Sequence, residues 1–270
     1  MMLVMKQIDV SALPPAHRDE AVNEVRTMAK VASHPYFVKY REAFLRDKTL
    51  CIVMDYCAGG ELQSKIRKFQ ESRSAFSEAA LRQWLVQLAL ALQFLHKNKL
   101  LHRDLKSANI FLDSNNQIRL GDFGLSKHLA NTLAKAKTFC GTPVYMAPEH
   151  EYYGSAADIW ALGVVMYEIA TLRIPFQAPN LAILFNKVCN EPTPLIPSRY
   201  SQNVRQLCAS MLHKDSTKRP TATQILQSPI LQREVKRMKQ VAGTSEIICN
   251  EGVIIWLYFL HINVSYVTQL

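Results

Sequence analysis

Four side chains in a short stretch have the types and spacing needed to move a group onto a hydroxyl. Asp104, in the run His102-Arg103-Asp104-Leu105-Lys106-Ser107-Ala108-Asn109, is a carboxylate that can orient an attacking hydroxyl and take its proton. Asn109 and, further along, Asp122 of Asp122-Phe123-Gly124 offer the hard oxygen ligands that Mg²⁺ requires. Lys106, just past the carboxylate, supplies a cation for charge building on a transferring group. A base, two metal ligands and a cation make up the equipment of phosphoryl transfer, where positioning and electrostatics supply most of the catalysis. Either triplet alone arises by chance; the two in this order argue for chemistry over structure.

The elements that must hold these residues can be read from periodicity. Leu3–Ile8 predicts a short strand, and residues 17–31 predict a helix with Ala21, Val22, Val25, Met28 and Ala29 on one face. His34-Pro35 breaks that helix, Tyr36–Tyr40 and Leu50–Met54 predict further strands, and Ala58-Gly59-Gly60 predicts a flexible connection. Beyond Gly60 the pattern turns helical. Ser77 is placed to cap a long helix whose stripe Leu81, Trp84, Leu85, Leu88, Leu92 and Leu95 demands burial. Residues 158–172 are apolar on nearly every side, as in a helix at the centre of a lobe. Shorter helices are expected near 180–190, 202–213 and 221–227, the last opened by the capping box Thr221–Gln224 after Pro220. The fold class is therefore α+β: a strand-rich small lobe, then a helix-rich large one, with the boundary near Gly59-Gly60 and no internal repeat.

Composition narrows the partners. The 270 residues carry 32 Lys and Arg against 22 Asp and Glu, a net charge of +10, but the cations are scattered and no aromatic platform accompanies them. Direct nucleic-acid binding is not expected. The six cysteines show neither C-x-x-C pairing nor zinc-like spacing, which fits free thiols in a reducing compartment. Residues 1–10 lack the pattern of a signal peptide, and nothing before residue 247 is apolar enough to span a membrane. A cytoplasmic location without membrane association is the expectation.

From residue 3 to about 232 the chain resembles a eukaryotic-type protein kinase, on the two runs above together with Ala147-Pro148-Glu149 and Asp158-Ile159-Trp160-Ala161-Leu162-Gly163. The resemblance implies a bilobal kinase-like fold over 1–235, with an incomplete small β-rich lobe at 1–58 and a larger, mainly helical lobe at 61–235. It implies ATP and Mg²⁺ as cofactors, bound between the lobes, with Asp104 and Lys106 catalytic and Asn109 and Asp122 on the metal. Lys6 falls where such kinases place the lysine on the α/β-phosphates, and Glu24 where the helix glutamate positions it. Met54-Asp55-Tyr56-Cys57 resembles the hinge, so Asp55 and Cys57 meet adenine through their backbone, with Met54 behind and Phe111 also in the pocket. Glu61 is expected either to reach the ribose or to cap a helix. Glu149 is expected to pair with Arg219, and Asp158 to anchor the catalytic loop.

Arg103, ahead of the catalytic carboxylate, implies control by phosphorylation, with Thr138 the site and Thr142 contacting Asp104 and Lys106. Within kinases, Leu3–Asp9, Ile52–Leu62, Asn109-Ile110-Phe111-Leu112 and Phe123–Lys127 resemble the NIMA-related group rather than the autophagy-initiating or Ste20-like ones. The Asp104-Leu105-Lys106 form is similar to that of Ser/Thr kinases. Protein substrates phosphorylated on Ser or Thr follow, and by family resemblance cell-cycle or cytoskeletal partners and a cytoskeletal location.

Three features depart from that pattern. The 270 residues hold no G-x-G-x-x-G run to cover the ATP phosphates, so two strands are expected to be missing from the small-lobe sheet and Leu3–Ile8 to form an exposed apolar edge. An incomplete start is preferred to a crippled product, because every residue that performs or times the chemistry is present. The 149–158 segment is short, which bears on substrate docking. The tail 236–270 has no assigned role; Val253–Leu260 is strongly apolar, but Asn263, Ser265, Thr268 and Gln269 argue against a membrane span. The rival reading is a kinase-like scaffold with weak or no ATP turnover.

Overall fold

The computed structural model describes residues 2–11, 25–121, 143–149 and 154–242. Glu24, Asp122, Thr138 and Thr142, and everything beyond residue 242, lie outside the described residues.

The small lobe is built on an antiparallel sheet of β1 (Leu3–Asp9), β2 (Tyr40–Arg46) and β3 (Thr49–Asp55), in the order β1-β3-β2. β2 and β3 are joined at Asp47 and Lys48, both in the left-handed region (φ 47° and 65°), as a two-residue turn matching strand twist requires. The strand expected at Tyr36–Tyr40 instead begins at Tyr40. Tyr36–Val38 cross to the large lobe: the Val38 amide donates to Leu120 O at 2.9 Å and the Leu120 amide to Tyr36 O at 2.8 Å. Their side chains are buried because they join the lobes, which apolar content alone does not distinguish from a strand.

Helix α1 (25–31) lies against the sheet, and Val25, Met28, Val38, Tyr40, Leu50, Ile52 and Met54 form the small-lobe core. His34, after that helix, is wedged against Phe37 and Phe94, and burial pulls its pKa down to about 4. β1 is at an edge of the described sheet, with Leu3, Val4 and Met5 exposed, as the sequence led one to expect.

Ala58-Gly59-Gly60, expected to be a flexible connection, turns directly into a second sheet that Gly60 joins. Gly60–Glu61 forms β4, paired with β5 (Ile110–Leu112), which pairs with β6 (Ile118–Leu120). The Gly59 amide donates to Leu112 O at 2.8 Å, and a Cβ there would meet Leu112 and Asp113 backbone oxygens at 2.7 Å. Close approach, rather than flexibility, explains that glycine.

The large lobe is helical. After α2 (Leu62–Glu71) comes α3 (Glu78–Lys97), with Ser77 Oγ accepting from the Ala80 amide at 3.2 Å, as expected of its cap. α4 (Ser155–Thr171) runs through the centre with 13 of its residues buried, so its apolar circumference is explained by packing on all sides. α5 (Leu181–Asn190), α6 (Gln202–Met211) and α7 (Ala222–Gln227) follow, and the Thr221–Gln224 capping box is formed. α8 (Gln232–Ala242) closes the described chain, with Val235 and Met238 still in the main core. No helix of the described residues is long and apolar enough to cross a membrane.

Candidate active site

The loop between α3 and β5 owes its shape to a buried carboxylate on α4. Asp158 is fully buried and accepts from the His102 amide at 3.0 Å and the Arg103 amide at 3.1 Å, while His96 Nε2 lies 2.8 Å from it. Burial alone would raise its pKa, but the hydrogen bond from His96 and the neighbouring imidazole charge and amides outweigh it and hold the carboxyl below its ordinary range. These bonds fix Arg103 in the left-handed region, at φ 66°. The strain of that conformation is offset by the carboxylate, and the chain turns so that Arg103 is exposed and Asp104 points inward. His102 Nε2, 3.1 Å from Gly121 O, ties the loop to the end of β6.

Asp104 is 5% exposed and sits among the groups expected of it. Lys106 Nζ donates to Asp104 Oδ2 at 2.7 Å, and Asn109 Nδ2 donates to the same oxygen and to Asp104 O, both at 2.9 Å. The residues read from the sequence as base, cation and one metal ligand are thus within a single hydrogen-bonded cluster. Because the Asn109 amide nitrogen is spent on Asp104, its carbonyl oxygen is the atom left as a ligand, a hard donor that suits Mg²⁺. Asp122, the second ligand named from sequence, follows Gly121 but lies outside the described residues.

The residues proposed to hold the nucleotide divide between the two lobes. Lys6 is half-buried on β1, opposite Ile52. Met54, Cys57 and Phe111 meet in the small-lobe core, and burial pushes the Cys57 thiol up to about 11, so it stays neutral and lipophilic. The Asp55 carboxylate is held by Arg41, whose second nitrogen donates at 2.9 Å, and the Asp55 amide donates to Lys39 O. Its side chain is therefore committed to structure, leaving only its carbonyl for adenine. Glu61 is exposed at the N-cap of α2 and makes no cap hydrogen bond, so the capping alternative is set aside.

The docking end of the site is anchored as the resemblance implied. Arg219 makes a bidentate pair with Glu149, at 2.6 and 2.7 Å; Nε also donates to His213 O, and Nη1 and Nη2 each donate a second bond, to Ala156 O and Lys214 O. Every guanidinium donor direction is used, which a buried arginine needs.

Sequence reasoning missed one network. Ser107 Oγ donates to Glu168 Oε1 at 3.1 Å and lies 3.1 Å from Tyr145 OH, which itself donates to Glu168 Oε2 at 2.5 Å. It ties the catalytic loop, the Ala147-Pro148-Glu149 segment and α4 together. The available signal was a glutamate in the otherwise apolar 158–172 run, which needs partners if buried.

A sequence profile described as the protein kinase domain matches residues 1–231. The chain belongs to the protein kinase family. This kinase is 42% identical over 233 residues to the serine/threonine-protein kinase Nek6 of Oryza sativa subsp. japonica, covering 85% of the chain and 43% of that protein. It is 36% identical over 249 residues to the serine/threonine-protein kinase Nek1 of Mus musculus, covering 91% of the chain and 20% of that protein. To the serine/threonine-protein kinase Nek11 of Homo sapiens it is 35% identical over 238 residues, covering 87% of the chain and 37% of that protein. The NIMA-related resemblance is thereby borne out, and the chain spans less than half the length of these curated relatives.

Proposed function

We propose that the chain transfers the γ-phosphoryl group of ATP to Ser or Thr side chains of protein substrates, as a NIMA-related kinase. The observation that carries this reading is the Asp104–Lys106–Asn109 cluster, suspended by main-chain bonds to Asp158. Mg²⁺, when bound, neutralises charge on the phosphates, and Asn109 and Asp122 are the residues that would hold it. Asp104 orients the substrate hydroxyl and accepts its proton. Lys106 holds Asp104 in place and offsets negative charge as the phosphoryl group moves. Lys6, set by Glu24, steadies the nucleotide phosphates, while the Asp55 carbonyl and the Cys57 main chain receive adenine over Phe111, with Glu61 on the ribose.

Regulation by the activation segment belongs to the same proposal. Arg103 is exposed beside the catalytic carboxylate, and a phosphate on Thr138 would add about −1.5 to −2 charge and acceptors for it to grip. Thr142 would then contact Asp104 and Lys106. Cell-cycle or cytoskeletal substrates and a cytoplasmic location are proposed from the family alone. The rival reading is a kinase-like scaffold with weak or no ATP turnover.

The chain is incubated with Mg²⁺, radiolabelled ATP and casein, and the phosphoamino acids are resolved. Phosphoserine and phosphothreonine without phosphotyrosine are expected; labelled tyrosine would refute the specificity, and no label with intact nucleotide binding would favour the scaffold. In the same assay Thr138→Ala should lower the rate about tenfold or more, and an unchanged rate would remove Thr138 as the switch.

A further inference from the structure

Ser107 stands between the two residues that hold the proposed base. Lys106 and Asn109 both donate to Asp104 Oδ2, and Ser107–Asn109 form one turn of 3-10 helix, with the Asn109 amide donating to Lys106 O at 3.0 Å. So short a turn has poor hydrogen-bond geometry of its own and takes its place from what grips it. Its far end is held by the Gly121 amide, which donates to Asn109 O at 3.0 Å. Its near end, next to Lys106, is held through the side chain of Ser107, which is fully buried.

The grip comes from a carboxylate. Ser107 Oγ donates to Glu168 Oε1 at 3.1 Å, Tyr145 OH donates to Glu168 Oε2 at 2.5 Å, and the Ser107 amide lies 3.5 Å from the Tyr145 oxygen. Tyr145 belongs to the stretch that runs into Ala147-Pro148-Glu149, whose glutamate is clamped by Arg219. α4 therefore grips the catalytic loop twice. Asp158 takes the His102 and Arg103 amides just before Asp104, and Glu168 takes Ser107 just after it, from points about 15 Å apart along the helix. Packing alone does not ask for the second grip. An apolar residue at position 168 would fill this buried site without the cost of desolvating a carboxylate.

We propose that the Ser107 hydroxyl is a positioning group for phosphoryl transfer. Through Glu168 and Tyr145 it holds Lys106 in register against Asp104, as the docking segment after Tyr145 dictates. The proposal rests on the reading of Asp104 as the base. Because Gly121 keeps the Asn109 end of the turn in place, loss of the hydroxyl falls on Lys106 and Asp104, and so on turnover rather than on nucleotide binding.

The full chain is compared with Ser107→Ala, Ser107→Thr, Tyr145→Phe and the Ser107→Ala/Tyr145→Phe double variant on Mg²⁺–ATP and casein, each well below its melting temperature. Ser107→Ala is expected to lower kcat about tenfold with KM for ATP unchanged. Ser107→Thr, which keeps the γ-hydroxyl, should recover most of the loss. Because both hydroxyls act through Glu168, the double variant should be little slower than the slower single one. Hydrogen exchange at the Asn109 amide, which closes the turn, should quicken in Ser107→Ala while exchange in α3 stays the same. The proposal is overturned by an unchanged kcat, by losses that multiply in the double variant, by unaltered exchange in the turn, or by a Ser107→Thr chain that melts with the parent yet is as slow as Ser107→Ala. Should Ser107→Thr fail to fold, the double variant and the exchange still decide. A parent no faster than Asp104→Asn would instead overturn the reading of the base, and exchange at Asn109 would still decide the anchoring.

Discussion

At the scale of single residues, two buried carboxylates on α4 organise the site from behind, and their protonation behaves in opposite senses. Asp158 is held below its ordinary pKa, so it stabilises the fold above the unfolded carboxylate range and that contribution fades as pH falls toward the folded value. Glu168 is pushed up by burial, only partly offset by bonds from Tyr145 and Ser107. Its folded form therefore binds more protons than its unfolded form, and stability is lost as pH rises from the unfolded value of about 4.3 through the folded one. Glu168→Gln removes that loss while keeping an acceptor for Tyr145. Melting temperatures of variant and parent, measured across pH 4 to 8, should diverge in the variant's favour as pH rises. A constant difference, or one of the opposite slope, would show that the carboxylate is not penalised by its site. The grouping of Asp104, Lys106 and Asn109 was legible in the sequence because it follows from residue type and spacing. The clamp at Glu168 was not, because its partners Ser107 and Tyr145 are 61 and 23 positions away.

At the scale of elements, legibility followed periodicity. The helices α3 to α7 declared themselves through apolar stripes and caps, down to the capping box at Thr221. Tyr36–Val38 misled because a crossing between lobes and a strand are equally apolar, and Ala58-Gly60 misled because a glycine needed for close packing looks like one needed for freedom. Gly163 in α4 is a further case of close packing. A Cβ there would come within 2.9 Å of Leu212 Cγ and Cδ2 and 3.0 Å of Met211 Cβ, both buried, so α6 and its end press directly on the α4 backbone. Gly163→Ala gains helix propensity but overpacks this contact, and the net cost should be about 1–3 kcal/mol. Urea denaturation measures it; a variant as stable as the parent would mean that α4 and α6 separate without penalty.

For the whole molecule, the described residues form two lobes whose cores meet through Tyr36–Val38 and the His34–Phe94 contact, with the catalytic loop pinned to the central helix of the larger lobe. The division into a strand-rich and a helix-rich lobe was visible in the sequence as the change from strand-like to helical patterning. The central claim is that Asp104 is the base of a phosphoryl transfer. Its most direct test is single-turnover transfer from radiolabelled Mg²⁺–ATP to a Ser/Thr protein substrate, comparing the chain with Asp104→Asn, which keeps the shape and hydrogen-bonding capacity of the loop. The parent should label the substrate and the variant should be slower by about 10²-fold or more, with unchanged nucleotide affinity. Equal rates in the two proteins would contradict the account.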